Sequence, residues 1–193
     1  MKTLVRNGGL ELTDGIASHG GYTSSTIEKL VEQGTVDAIL KAIRTHKQDV
    51  VLERSACAAL WNLSANYYIA DQLVEYNAHH ELVDMMPRVA CKDLRNMTIA
   101  VLQNLALGNS KVLIEYGVLK VVTLEMAKNP LNAELQLLGC GLVANLCANS
   151  GRETVRGIVD QVRIGAVAAI KNHPTTIQQY GNMAIDKIAK FLH

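Results

Sequence analysis

The sequence predicts an all-α fold, a solenoid of stacked helical repeats, and three observations carry that expectation. Asn62, Asn104 and Asn145 stand in near-identical settings, Leu-Trp-Asn-Leu, Leu-Gln-Asn-Leu and Ala-Asn-Leu, at a spacing of roughly 42 residues. One further step reaches Lys187 within Ile-Asp-Lys-Ile, a degenerate copy. A second column runs in step with the first. Leu30-Val31-Glu32-Gln33-Gly34 recurs as Leu73-Val74-Glu75-Tyr76-Asn77, Leu113-Ile114-Glu115-Tyr116-Gly117 and Ile158-Val159-Asp160-Gln161-Val162. Third, the chain is 49% apolar but only 4% aromatic, so Ala and Leu fill the interior, a composition suited to closely packed helices.

Taken in order, residues 1–21, with Gly8-Gly9, Gly15 and Gly20-Gly21, show no sustained period and read as a glycine-rich lead-in. The repeats then divide at about 22–65, 66–107, 108–148 and 149–193, each with three helices. The first set is expected over 23–33, 35–44 and 49–65, and the second over 66–76, 78–90 and 93–107. The third is expected over 109–116, 118–128 and 132–148, and the fourth over 151–161, 163–172 and 175–191. Between first and second helices the chain must turn tightly. Gly34 and Gly117 accept positive φ freely and Asn77 is the next most tolerant residue, whereas Val162 departs from that pattern.

The third helices carry the clearest periodicity. Val51, Leu52, Ala56, Ala59, Leu60 and Leu63 share one face. Leu94, Thr98, Val101, Leu102 and Leu105 share the next, and Leu135, Gly139, Leu142, Val143 and Leu146 the third. Asp49, Asp93 and Asn132 are the expected N-caps, and Pro174 with Thr175 opens the last helix. Pro87, Pro130 and Pro174 fall near the links between second and third helices. In the last helix Ile185, Ile188 and Leu192 keep an inner face while Lys187, Lys190 and His193 make the outer one polar. That helix reads as a cap or as the edge of a longer array.

Charge and composition narrow the function classes. A net charge of +1 over 193 residues offers no bulk attraction to nucleic acid or an anionic membrane. No secretory core and no apolar run long enough to span a bilayer is expected, and Lys2 replaces the glycine that myristoylation requires. The expected location is therefore cytoplasmic or nuclear. Cys57, Cys91, Cys140 and Cys147 lack CxxC spacing and read as reduced, buried thiols, with no zinc site. His79-His80 is expected as a solvated helix start, because neighbouring helical side chains diverge. The acids Glu32, Glu75, Glu115 and Asp160 are expected at repeat edges and not in one site. The Gly20-Gly21 stretch lacks a Gly-Lys-Ser/Thr ending, and no nucleophile–base constellation is visible. Neither an enzyme nor a cofactor is expected.

Several stretches give the repeat a family resemblance. Ala58-Ala59-Leu60-Trp61-Asn62-Leu63-Ser64, followed by Asn66 and Leu73-Val74-Glu75, resembles the armadillo repeat of catenins and importin-α. Leu135-Gln136 leading to Gly139-Cys140, and Asn172-His173-Pro174 leading to Gln178-Gln179-Tyr180-Gly181, resemble joins in divergent members. The resemblance covers residues 22–193; HEAT repeats, the near alternative, use two helices where three are marked here. It implies a right-handed superhelix of about four repeats whose third helices line a concave groove. It also implies that Asn62, Asn104 and Asn145 hold the main chain of an extended peptide, since a carboxamide offers the donor and acceptor that a peptide unit needs. Importin-α has Trp four residues before that Asn, to clamp lysine stems. Here those positions are Ala58, Ala100 and Gly141, which disfavours a nuclear localisation signal as cargo.

On helix geometry, Arg54 and Trp61 flank Asn62 on the groove face, Asn96 and Gln103 flank Asn104, and Lys187 marks the basic far end. The expected partner is an extended protein segment, apolar at its centre, bound by a monomer. A karyopherin-like adaptor, or an array packing against other domains of a larger signalling or cytoskeletal protein, are the alternatives. Against the groove role stands a plainer one: Asn holding neighbouring repeats together, and Trp61 packing on its surroundings.

Overall fold

The computed structural model describes residues 24–148 and, beyond them, positions 167, 170–172, 182 and 186. The lead-in 1–21, and Val162, Pro174 and Lys187 of the fourth repeat, lie outside the described residues. Among the described residues every regular element is helical and there is no strand. The order is α1 (Ser24–Glu32), α2 (Thr35–Thr45), α3 (Val50–Ser64), α4 (Tyr67–Glu75), α5 (Ala78–Met85), a 3₁₀ turn (Met86–Arg88), α6 (Lys92–Glu115), α7 (Val118–Lys128) and α8 (Ala133–Ala148).

Three left-handed residues set the tight turns. Gly34, Asn77 and Gly117 have φ of 81°, 59° and 92°. Each donates its N–H to a carbonyl three residues back, Val31, Val74 and Ile114, at 2.9 Å. Two short helices can therefore pack against each other with almost no linker. Asp49 caps α3 by accepting from the Leu52 N–H at 3.1 Å. Asn66 caps α4, accepting from Tyr68 at 3.0 Å and Ile69 at 3.4 Å. Asn132 accepts from the Leu135 N–H at 3.3 Å at the start of α8.

Most buried apolar residues form one cluster that runs from Val31 to Cys147, with Ala42 and Leu52 as a small separate pair. α6 is its spine, packed against α3 on one side and α8 on the other. Leu60, Leu63, Leu102, Leu105, Leu142 and Leu146 are fully enclosed between these helices. Each such side chain contributes about 1.5–3 kcal/mol by leaving water, so this seam decides the fold.

Four expectations need correction. Asp93 is not an N-cap: α6 begins at Lys92, Cys91 precedes it without a side-chain cap bond, and Asp93 sits in the first turn. The helix expected over 78–90 ends at Met85, because Pro87 lacks the N–H to continue it and the chain tightens into a 3₁₀ turn. The helices expected over 93–107 and 109–116 are one helix, bent at Asn109, whose φ of −119° and ψ of 27° leave the helical region. The Asn109 side chain stabilises the bend by donating to Asp71 Oδ1 at 2.7 Å and to the Leu105 carbonyl at 3.3 Å. Joining two apolar stretches this way makes Lys92–Glu115 a 24-residue helix, long and apolar enough by composition to cross a membrane, contrary to the sequence expectation. Here it is the central packing helix, with Leu94, Ile99, Leu102, Leu105 and Leu113 buried against protein.

Candidate functional site

The helices α3, α6 and α8 lie side by side and enclose a cleft of about 210 Å³. From α3 come Arg54 and Trp61, two turns apart on one face. From α6 come Asp93, Asn96, Met97 and Ala100, at helical face spacing, and from α8 come Glu134 and Leu138, one turn apart. Trp61 forms an open wall, 45% exposed. Met97, Ala100 and Leu138 make an apolar floor.

The polar side chains around this floor are engaged with one another, with one ion pair among them. Arg54 Nη2 lies 3.7 Å from Asp93 Oδ2. Glu134 Oε2 accepts from Asn96 Nδ2 at 2.7 Å, and Asn96 Oδ1 accepts in turn from Asn132 Nδ2 at 3.1 Å. Asn96 is buried and both ends of its carboxamide are committed, so it builds the wall and joins α6 to α8. What remains open to a visitor is an apolar slot beside an indole, suited to one large apolar side chain.

The predicted asparagine ladder has a structural use. Asn104 Nδ2 donates to Ser64 Oγ at 3.0 Å, and Asn145 Nδ2 donates to the Gln103 carbonyl at 3.2 Å. Each therefore fastens its helix to the preceding one. Asn62 has no hydrogen-bond partner among the described residues. The carboxamide oxygens of Asn104 and Asn145 also have no donor among the described residues. Gln103 lies over Gly141, where an added Cβ would come within 2.5 Å of its Nε2. That glycine lets α8 approach α6 closely. Ala100, Gly141 and Ala144 are buried, so the face is narrower than helix periodicity alone suggests. Lys187 lies outside the described residues.

A second polar column escaped the sequence reading: Glu53, Arg95 and Gln136, each nine residues before a ladder asparagine. Buried Glu53 pairs with Arg88 after α5, and accepts from the Gln48 N–H at 3.3 Å. Arg95 Nε lies 3.1 Å from Glu125 Oε2, and Lys128 Nζ reaches the other oxygen at 2.9 Å. Gln136 Nε2 donates to the carbonyls of Met126 at 2.9 Å and Asn129 at 3.0 Å. This column satisfies the exposed carbonyls and charges where second helices end, holding the third helices from behind the cleft. Three polar residues at one phase of an otherwise apolar face were the available signal.

The histidines depart from expectation. His79 is buried, 2% exposed, and its ring meets His80 edge-on at 4.4 Å and Tyr116 edge-on at 5.2 Å. His80 stacks on Tyr116 at 3.9 Å. The end of α6 brings Tyr116 over α5, which turns a solvated start into an aromatic joint. Burial, aided by the neighbouring His80, lowers the His79 pKa to about 4, and its Nδ1 has no hydrogen-bond partner. All four cysteines are free, and Cys57, Cys140 and Cys147 are buried as expected, whereas Cys91 is only half-buried. Burial pushes the Cys57 thiol up to about 12 and those of Cys140 and Cys147 up to about 11, which leaves them unreactive. No group of three metal-ligating side chains occurs among the described residues. Glu32 and Glu75, expected at separate repeat edges, border one hollow between α1 and α4.

No family model matches the chain, and no curated protein matches it. Solved structures share its fold. The crystal structure of an engineered protein, a Northeast Structural Genomics Consortium target, matches with a TM-score of 0.83 at 18% identity, covering 98% of this chain and 76% of that one. A second engineered target of the same consortium matches with a TM-score of 0.81 at 16% identity, covering 96% and 73%. At these identities the likeness is one of fold alone.

Proposed function

We propose that the chain is a non-enzymatic binding scaffold, an armadillo-like right-handed solenoid whose third helices receive an extended segment of a partner protein. The observation that carries this reading is the cleft, in which Trp61 of α3 stands 45% exposed over an apolar floor supplied by α6 and α8. An indole held open to solvent beside a desolvated slot is the usual form of a binding anchor. The Arg54–Asp93 pair and the Asn96–Glu134 hydrogen bond leave the floor to an apolar side chain, and the carboxamide oxygens of Asn104 and Asn145, without a donor among the described residues, offer acceptors to the N–H groups of the segment running past it.

Substitution at Trp61 tests the proposal. With a partner recovered by pull-down, Trp61→Ala should weaken binding by about 2 kcal/mol while leaving thermal stability nearly unchanged. A large loss of stability with unchanged affinity would refute it. Substituting the asparagines is a poorer test, because Asn104 and Asn145 also join helices. Tight binding of a lysine-rich signal peptide in the same cleft would instead favour the karyopherin-like adaptor.

A further inference from the structure

On another face, where α1 meets α4, two adjoining hollows of about 260 and 320 Å³ share Glu32 and Gln72 in their walls. Buried Val31 and Ile69 form their floors, and Tyr76 and Tyr68 stand at the rims, 42% and 74% exposed. Tyr68 is braced edge-on by Tyr67 at a ring separation of 6.3 Å. Rigid exposed tyrosines over an apolar floor supply contact area with little side-chain entropy to lose on binding.

The charge here is one-sided. Among the described residues Glu28, Glu32 and Glu75 line the hollows and no Lys or Arg does, and none of the three has an ion-pair partner among them. Local physics opposes this arrangement. Glu32 ends α1 and Glu75 ends α4, where the helix dipole repels an anion, and Glu28 stands one turn from Glu32 with like charge. Several acids elsewhere have a cation: Glu53 has Arg88, Glu81 has Arg44 and Glu125 has Arg95 with Lys128. Even Glu115, at the corresponding end of α6, has Lys111 at 4.0 Å.

We propose that the α1–α4 face docks a basic segment of a partner protein, with Lys or Arg stems against Tyr68 and Tyr76 and their charges on Glu28, Glu32 and Glu75. Charge complementarity selects that occupant over a second copy of this chain, whose identical acidic face would repel it. The surface is distinct from the Trp61 cleft and shares no lining residue with it.

Fluorescence anisotropy with a Lys- and Arg-rich peptide, and with a Glu-rich peptide as control, tests the assignment on wild type, E32Q/E75Q, Y68A and W61A. The basic peptide should bind wild type, with affinity falling as salt is raised, and the Glu-rich peptide should not bind. E32Q/E75Q should weaken binding by about tenfold or more, Y68A should also weaken it, and W61A should leave it unchanged. The melting temperature of E32Q/E75Q should be no lower than that of wild type, because a dipole clash is relieved, so lost binding is not lost folding. Equal affinity in E32Q/E75Q would overturn the proposal, as would loss confined to W61A, which would move the peptide to the cleft. A wild-type dimer dispersed by E32Q/E75Q in sedimentation would assign the face to a second copy and overturn it equally.

Discussion

The cleft and the α1–α4 face are both exposed, and they treat charge in opposite ways. In the cleft, Arg54 pairs with Asp93 and the Glu134 carboxylate is hydrogen-bonded by Asn96, which leaves an apolar slot beside Trp61. At α1–α4, Glu28, Glu32 and Glu75 are left unanswered beside Tyr68 and Tyr76. The difference teaches what each surface can select. Compensated charge leaves recognition to shape and apolar burial, whereas uncompensated charge reaches beyond contact distance and selects by sign. It also separates acids that hold the fold from acids that do not.

The sharpest contrast sets Glu53 against Glu75. Glu53 is 2% exposed and depends on Arg88, which anchors α3 behind the cleft. Arg88→Ala should destabilise the protein by about 3 kcal/mol, because it strands a buried carboxylate, while Glu75→Gln should not destabilise it at all. Urea midpoints for the two variants check this directly. Equal, small effects would show that the buried pair is as dispensable as the surface acid.

How much of this was legible follows from which residues act locally. The turns at Gly34, Asn77 and Gly117 could be read from sequence because positive φ is a property of the residue itself. The ladder asparagines could be read because they recur at a nearly constant spacing in the sequence. The Asn109 bend could not: it depends on Asp71 lying within reach, which only the packing of α4 on α6 arranges. Arg54, Trp61 and Asn96, which helix periodicity puts on a shared face, line the cleft. Asp93, Met97, Glu134 and Leu138 join the cleft through the packing of α6 against α3 and α8, which no single helix encodes.

The aromatic joint at His79 provides the next largest effect and acts on neither surface. With its folded pKa lowered from 6.5 to about 4, His79 stays neutral in the folded protein and takes up a proton more readily when unfolded. Stability from this residue is therefore complete above pH 6.5 and is lost as pH falls toward about 4, by up to about 3 kcal/mol. His79→Phe keeps an edge-on ring against Tyr116 and removes the titration. The difference in urea midpoint between wild type and His79→Phe should widen across that window. A constant difference would show that His79 does not carry a buried neutral ring.

Trp61→Ala follows, with about 2 kcal/mol expected in partner affinity and less than about 0.5 kcal/mol in stability. Paired with E32Q/E75Q it sharpens the comparison, since each variant should spare the other surface's ligand. A variant that weakened both would merge the two faces into one site.

The smallest effect separates members of the asparagine ladder. Asn104 donates to Ser64 Oγ at 3.0 Å between α6 and α3, so Asn104→Ala should cost about 1 kcal/mol of stability. Asn62 has no such bond among the described residues, and Asn62→Ala should change stability by less than about 0.5 kcal/mol. Thermal melts of the two variants decide whether the column serves one purpose or two. If Asn62→Ala is silent in stability yet weakens the cleft's partner, the column joins helices where a preceding helix offers an acceptor and contacts the ligand where none does. If Asn62→Ala is silent in both, the period in the sequence reports helix joining alone, and the cleft relies on Trp61 and its apolar floor.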